Sequence, residues 1–196
     1  MSNNFIKLNI PDSEIYYLPS FYSIDKCNIY FKKLLNNIAW QQDIIKIFGK
    51  TIPIPRLQAF YGNKGLSYKY SNINLEAKNW NDLLTSIKTD IELAYKIKLN
   101  SVLLNLYRNG NDSNGWHSDD EPSLGKNPAI ASLSFGSNRT FHLKHKKFKN
   151  LKTKIELSNG SLLIMKGETQ QFWYHQISKT KKQVAPRINL TFRRII

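Results

Sequence analysis

The order of patterns along the chain predicts an α+β fold with a β-sandwich or jelly-roll core. Two amphipathic helical stretches precede residue 100, and a series of short strand-like runs separated by turn signals follows it. The length points the same way. A chain of 196 residues with no internal repeat and no Gly/Ser linker is one domain, residues 1–196, with a mixed part over 1–100 and a strand-rich part over 101–196.

Residues 14–18, "EIYYL", read as a short strand. Residues 23–40 read as a helix: Ser23 suits the N-cap, and Ile24, Cys27, Phe31, Leu34, Leu35 and Ile38 recur at helical spacing. From 44 to 70 the chain is strand-like and broken by Pro53, Pro55, Gly62 and Gly65. A second helix is expected over 80–97, capped by Asn79, with Trp80, Leu83, Leu84, Ile87, Ile91 and Ala94 on one face. Strands are then expected at 101–107, 129–135, 139–145, 152–157, 161–165, 170–175 and 187–193.

Lysine and arginine outnumber acids 29 to 14, a formal net charge of +15 and a pI near 9.8. Such a balance suits a polyanionic partner such as nucleic acid, or reflects a lysine-rich composition in general. The single cysteine, Cys27, excludes an intrachain disulfide and a cysteine-based zinc site. "MSNNFIKLNIPDSE" carries no long apolar run, and no stretch reaches transmembrane length, so an intracellular monomer in cytoplasm or nucleus is expected.

Two strand candidates have a polar face. In "SVLLNLYRNG", Asn105 and Tyr107 project together; in "RINLTFRR", Arg187, Asn189, Thr191 and Arg193 do. These are either half-buried strands with a wet side or the walls of a barrel that holds a charged ligand. In the second case the two arginines suit a dicarboxylate, because a guanidinium fork pairs bidentately with a carboxylate.

Residues 115–121, "GWHSDDE", place His117 and Asp119 two apart, on one side of an extended segment. Of the other histidines, His142 and His145 lie in the basic "FHLKHKKFKN" and read as solvated, whereas His175 precedes the arginine strand. Two imidazoles and a carboxylate on one face of an octahedral ion leave three positions open, the arrangement of non-haem Fe(II) oxygenases.

At these residues the sequence resembles the AlkB family of Fe(II)- and 2-oxoglutarate-dependent dealkylases, and most closely its members that repair N-alkylated bases. The resemblance runs from about Phe48 to Arg194, through "LNLYRNGNDSNGWHSDDEPSLG", "IASLSFGSNRTFHLKH", "GSLLIMKGETQQFWYH" and "APRINLTFRRI". It implies a double-stranded β-helix (jelly roll) over 101–196, with helices packed on one sheet and a nucleotide-recognition lid within 1–100. It implies Fe(II) on His117, Asp119 and His175, and O2 and 2-oxoglutarate as cosubstrates. The oxo acid would be held by Arg187 and Arg193, with Asn105, Tyr107, Asn189 and Thr191 lining its pocket. Glu121 matches an acid that reads the damaged base, and Arg56, Tyr68 and Tyr70 would line the base pocket. Phe48, in "IFG", resembles a finger that enters the gap left by a flipped base. Lys179, Lys181 and Lys182 would meet phosphates. The implied activity is oxidative demethylation of 1-methyladenine and 3-methylcytosine in DNA, single- or double-stranded, with RNA, or a silent nucleic-acid-binding module, as the alternatives.

Overall fold

The computed structural model describes residues 5–47, 49–70 and 73–196, with the side chains of Lys46, Ile47, Tyr70 and Ile73 left aside. Phe48 therefore lies outside the described residues. The chain opens with β1 (Ile6–Leu8) and β2 (Glu14–Leu18) and then enters α1 (Ile24–Asn37). Ser23 caps α1 by accepting from the Lys26 N–H, as its side-chain chemistry favours. The helix stops before the expected residue 40, because Ile38 is already extended. Next come β3 (Ile44–Ile47), β4 (Lys50–Pro53), β5 (Leu57–Gly62), β6 (Ser67–Tyr70), β7 (Ile73–Glu76) and β8 (Lys78–Asn79).

The second helix, α2 (Asp82–Tyr95), begins two residues later than the reading that capped it with Asn79. Asn79 sits in β8, and Asn81 is the cap, its side chain accepting from the Leu84 N–H. Trp80 is not helical. Its ring stacks on Phe192 at 6.5 Å and its indole N–H donates to Asn63, and the chain stays extended through Asn81.

The strand-rich part follows: β9 (Ser101–Tyr107), β10 (Asn114–His117), β11 (Ile130–Gly136), β12 (Arg139–His145), β13 (Lys152–Leu157), β14 (Leu162–Lys166), the one-turn α3 (Thr169–Phe172), β15 (Trp173–Ile177) and β16 (Arg187–Arg193). The expected strand at 170–175 is thus split into a helical turn and a strand. The Thr169 hydroxyl makes the turn by donating to the Lys166 carbonyl while accepting from the Glu14 N–H.

Two sheets face each other. The large one has the order β1-β2-β14-β11-β16-β9-β5-β8, and the small one β10-β15-β12-β13. All pairs are antiparallel except β5 with β8. Strands from both halves of the chain share the large sheet, so the boundary expected near residue 100 runs through one continuous ladder. The outer face of the large sheet, with Leu104, Leu133 and Leu190, packs on Leu34 of α1 and on Leu84, Ile87 and Ile91 of α2. Its inner face, with Leu103, Ile130 and Leu163, meets Phe141, Leu143, Leu157 and Trp173 of the small sheet in a second core. This is the jelly-roll architecture, with helices on one sheet only. Hairpins β3–β4 and β6–β7 form separate two-stranded sheets. No described helix is long and apolar enough to cross a membrane.

Candidate active site

Between the sheets lies a cavity of about 460 Å³, within the usual range for small-molecule sites. Its floor is the inner face of β9, β11 and β16. Every residue of β9 and β16 is buried, so neither strand has the wet side that alternation alone allows. The polar residues line up by register: Ser134 opposes Asn189, Asn189 opposes Asn105, and Arg187 opposes Tyr107.

These side chains interlock. The Asn189 carbonyl oxygen accepts from the Ser132 hydroxyl at 3.0 Å and from Arg187 Nη2 at 2.8 Å, and its amide donates to Thr191 at 2.8 Å. Arg187 Nη2 also donates to Ser134 at 2.9 Å. The Asn105 carbonyl oxygen accepts from Arg56 Nε at 2.8 Å, which draws Arg56 onto the floor of the cavity. Ser132 and Ser134 were missed at the sequence level. The same alternation in "IASLSFG" that puts Ala131, Leu133 and Phe135 on the helix side puts them on the pocket side.

Arg187 is 1% exposed, yet its Nε and Nη1 find no hydrogen-bond partner among the described residues. Burial pushes its pKa down to about 10, against the raising effect of Tyr107. Two unused donors on a buried guanidinium, in a cavity of this size, fit a carboxylate ligand, since a buried charge is costly until it is paired. The donor set of the pocket therefore suits 2-oxoglutarate.

At the other end of β16, Arg193 Nη2 donates to Asp119 Oδ1 at 2.9 Å. Asp119 stands beside His117 and His175, and one potential ligand atom from each of the three lies within 4.8 Å of the others. The strands explain the meeting. β10 pairs with β15 so that His117 opposes His175 directly, and the two rings are 4.2 Å apart. His175 also stacks on Phe141 at 5.1 Å. Asp119 follows β10 and is held by its own N–H, which donates to the buried Gln170 side chain at 2.9 Å. Gln170 left no trace in the periodicity, because it sits in the single turn of α3.

Charge states suit a metal. Burial would raise the Asp119 pKa, but Arg193, then His175 and His117, outweigh it and hold it near about 2. Burial lowers His175 to about 3 and moves His117 in the same direction. Near neutral pH the cluster is one carboxylate and two neutral imidazoles, the forms that bind metal. His117 Nδ1 donates to the Gly115 carbonyl at 2.7 Å, which leaves Nε2 carrying the lone pair; Nε2 now faces the Asn114 amide at 3.2 Å. The donor chemistry fits Fe(II), with the carboxylate and imidazoles of the facial triad.

Of the remaining residues singled out in the sequence, Tyr68 is buried beneath Arg193, whose guanidinium carbon is 5.1 Å from its ring centre. Glu121 is half-buried on the cavity wall. Burial and then Asp119 raise its pKa, and Oε2 is unpartnered. Tyr70 belongs to β6, with its side chain outside the described set. Lys179, Lys181 and Lys182 are exposed on the loop between β15 and β16. His145, expected to be solvated, is 4% exposed instead. Its Nε2 donates to Asp12, its Nδ1 accepts from the backbone of Lys147 and Phe148, and Phe172 and Trp173 enclose it.

A jelly roll with this His-Asp-His cluster facing a buried arginine defines an oxygenase-type metal pocket. Residues 14–193 match the model of the family described as "2OG-Fe(II) oxygenase superfamily". The chain is 41% identical over 192 residues to alpha-ketoglutarate-dependent dioxygenase alkB homolog 3 of Bos taurus, covering 93% of this chain and 66% of the relative. It is 39% identical over 159 residues to DNA oxidative demethylase ALKBH2 of Homo sapiens, covering 78% of this chain and 61% of the relative. To the Arabidopsis thaliana protein of the same name it is 33% identical, covering 94% and 67%. The solved structure of OsALKBH1 shares the fold, with a TM-score of 0.67 over 97% of this chain and 99% of that one, at 17% identity. The chain belongs to the 2-oxoglutarate- and Fe(II)-dependent oxygenases, and within them to the AlkB family. It spans about two thirds or less of the length of most of the curated relatives it matches.

Proposed function

We propose that the protein is an oxidative demethylase of N-alkylated nucleic-acid bases, 1-methyladenine and 3-methylcytosine, acting on DNA. One observation carries the reading: the His117–Asp119–His175 cluster and the unpaired Arg187 donors line the same buried cavity. His117, Asp119 and His175 would hold Fe(II). Arg187 would take the carboxylate of 2-oxoglutarate farther from the metal, because Arg193 is already committed to Asp119. The names of the relatives, a dioxygenase and a DNA oxidative demethylase, support this chemistry and substrate.

Bound iron, with 2-oxoglutarate and O2, supplies the oxidant that hydroxylates an N-methyl carbon. The hydroxylated carbon then leaves as formaldehyde, and the base is restored. The protein's own residues position and exclude. Phe141, stacked on His175, keeps the small-sheet side of the metal cluster apolar. Asn105, Asn189 and Thr191 hold the floor rigid around Arg187. Glu121, beside Tyr68 at the cavity wall, offers a carboxylate to a lesion that is itself cationic, an attraction strengthened by partial burial. The net charge of +15 and the exposed lysines after His175 favour a polyanionic substrate.

The test is an oligonucleotide assay with mass detection. The protein, Fe(II), ascorbate and 2-oxoglutarate are mixed with a 1-methyladenine oligomer as single-stranded DNA, duplex DNA and RNA. Loss of one methyl that needs both iron and 2-oxoglutarate is expected, with DNA ahead of RNA. Succinate formation without methyl loss would keep the iron centre and reject the substrate. Neither product in an iron-loaded sample would leave a binding module.

A further inference from the structure

Arg139 is a buried cation that the proposed chemistry does not use. It opens β12 in the small sheet and is 5% exposed. Its guanidinium carbon lies 5.6 Å from the centre of the Tyr107 ring, and that of Arg187 lies 5.2 Å from the same ring, both within cation–π range. Its hydrogen bonds go to three carbonyls: Nη1 to Asn109 at 3.2 Å, Nη2 to Asp112 at 2.9 Å and Nη2 to Ser178. Asn109 and Asp112 lie in the loop after β9, and Ser178 follows β15. Arg139 thus clasps two loops across the sheets. The Thr180 N–H adds to the clasp by donating to the Gly110 carbonyl at 2.9 Å. Gly110 allows that approach, since a Cβ there would collide with the Thr180 carbonyl.

Among the described residues, no carboxylate is a hydrogen-bond partner of Arg139. The carboxylate of Asp112, whose backbone carbonyl Arg139 holds, is bound bidentately by Arg108. The Arg139 charge is therefore left largely uncancelled at the end of the cavity where Arg187 has two unused donors. An anion seated on Arg187 would lie near a second guanidinium, because Arg139 and Arg187 share the Tyr107 ring.

We propose that Arg139 is a positioning residue for the cosubstrate. It acts through Tyr107 and by its charge, fixing the distal carboxylate of 2-oxoglutarate at Arg187 without touching it. The inference rests on the reading of Arg187 given above.

The test compares R139M and R139K with the wild-type chain in two ways: 2-oxoglutarate binding to the Mn(II)-loaded protein by calorimetry, and steady-state turnover. R139M should weaken 2-oxoglutarate binding at least tenfold and raise its KM to match, with kcat at saturating cosubstrate within twofold. R139K keeps the charge but lacks the fork, and should fall between the two. Binding of 2-oxobutyrate, which lacks the distal carboxylate, should be the same in all three. Unchanged 2-oxoglutarate affinity in R139M overturns the inference, and so does an equal loss for both oxo acids, which marks general damage. If R139M does not fold, R139K carries the test, where less than a threefold loss overturns it. A wild-type chain that binds no 2-oxoglutarate at all would fail the functional reading instead.

Discussion

The floor of the cavity and the β3–β4 hairpin at its mouth are built on opposite terms. On the floor, β9, β11 and β16 are buried almost throughout, and Ser132, Asn189 and Thr191 hold one another through bonds along the strand or diagonally across the ladder, which leaves the free donors to Arg187 and to Arg193 Nε. Among the described residues the hairpin forms a two-stranded sheet of its own, and all of β4 is exposed. An isolated two-stranded hairpin is marginal in water. The contrast separates two tasks. Metal and cosubstrate geometry needs a site that does not yield, whereas contact with a large substrate needs surface that costs the fold little to change.

The largest effects should come from the metal end of the floor. His175→Ala should abolish turnover with the fold retained. Asp119→Ala should abolish it too, and should also destabilise the protein by about 3–5 kcal/mol, because Arg193 is then left buried without its partner. Denaturant melts of Asp119→Ala and of the double variant Asp119→Ala/Arg193→Met separate the two roles. The double variant should recover much of the stability and none of the activity. A single variant as stable as wild type would show that the ion pair does not hold this end together.

At the cosubstrate end the sign reverses. Arg187 is buried with two donors unused, so Arg187→Met should leave the ligand-free protein as stable as before or more so, by up to about 1–4 kcal/mol. The same variant should lose the rise in melting temperature that added 2-oxoglutarate gives the Mn(II)-loaded wild type. Thermal melts with and without the oxo acid check both. A clear loss of stability without ligand would mean that Ser134 and Asn189 neutralise Arg187 better than their geometry indicates.

The rim of the floor carries a pH signature. Burial would raise the Asp112 pKa, but the hydrogen bonds and charge of Arg108 win and hold it below the ordinary carboxylate value. A depressed folded-state pKa stabilises the protein above the unfolded value, roughly 3.9, and that stabilisation is lost as the pH falls through the folded one. Asp112→Asn should therefore cost about 1–3 kcal/mol near neutrality. The gap from wild type should close as the pH drops below about 4. A gap independent of pH would remove the charge from the account.

How much of this was legible in the sequence follows the same division. The floor was readable because period-two alternation and a two-faced strand leave few choices: Asn105, Tyr107, Arg187, Asn189, Thr191 and Arg193 fall on one face whatever the surroundings. Alternation does not say whether that face is wet. Only the opposing small sheet, set by long-range pairing, buries it. The start of α2 was misplaced because Asn79 and Asn81 are both good caps, and the stacking of Trp80 on Phe192, far along the chain, decides between them. His145 looked solvated among lysines, and its partner Asp12 is remote in sequence. Arg139 and Gln170 were passed over for the same reason: what they hold lies on other elements.

The smallest effects belong to the hairpin, and there the comparison can be made within one pair of strands. Ile45 and Ile52 are directly opposed, so they share a face, and Ile45 lines the cavity; Ile44 points to the other side. Ile44 and Ile52 are 59% and 41% exposed. Serine at either position should change stability by no more than about 0.5 kcal/mol. Ile52→Ser should still raise the KM for an oligonucleotide about threefold to tenfold, the loss expected from partial burial of one such side chain. The KM for 2-oxoglutarate should not move. Ile44→Ser should change neither constant. Equal effects from both would mean that the hairpin acts through its own stability rather than through the face it turns to the cavity, and the division between a rigid floor and a replaceable mouth would have to be redrawn.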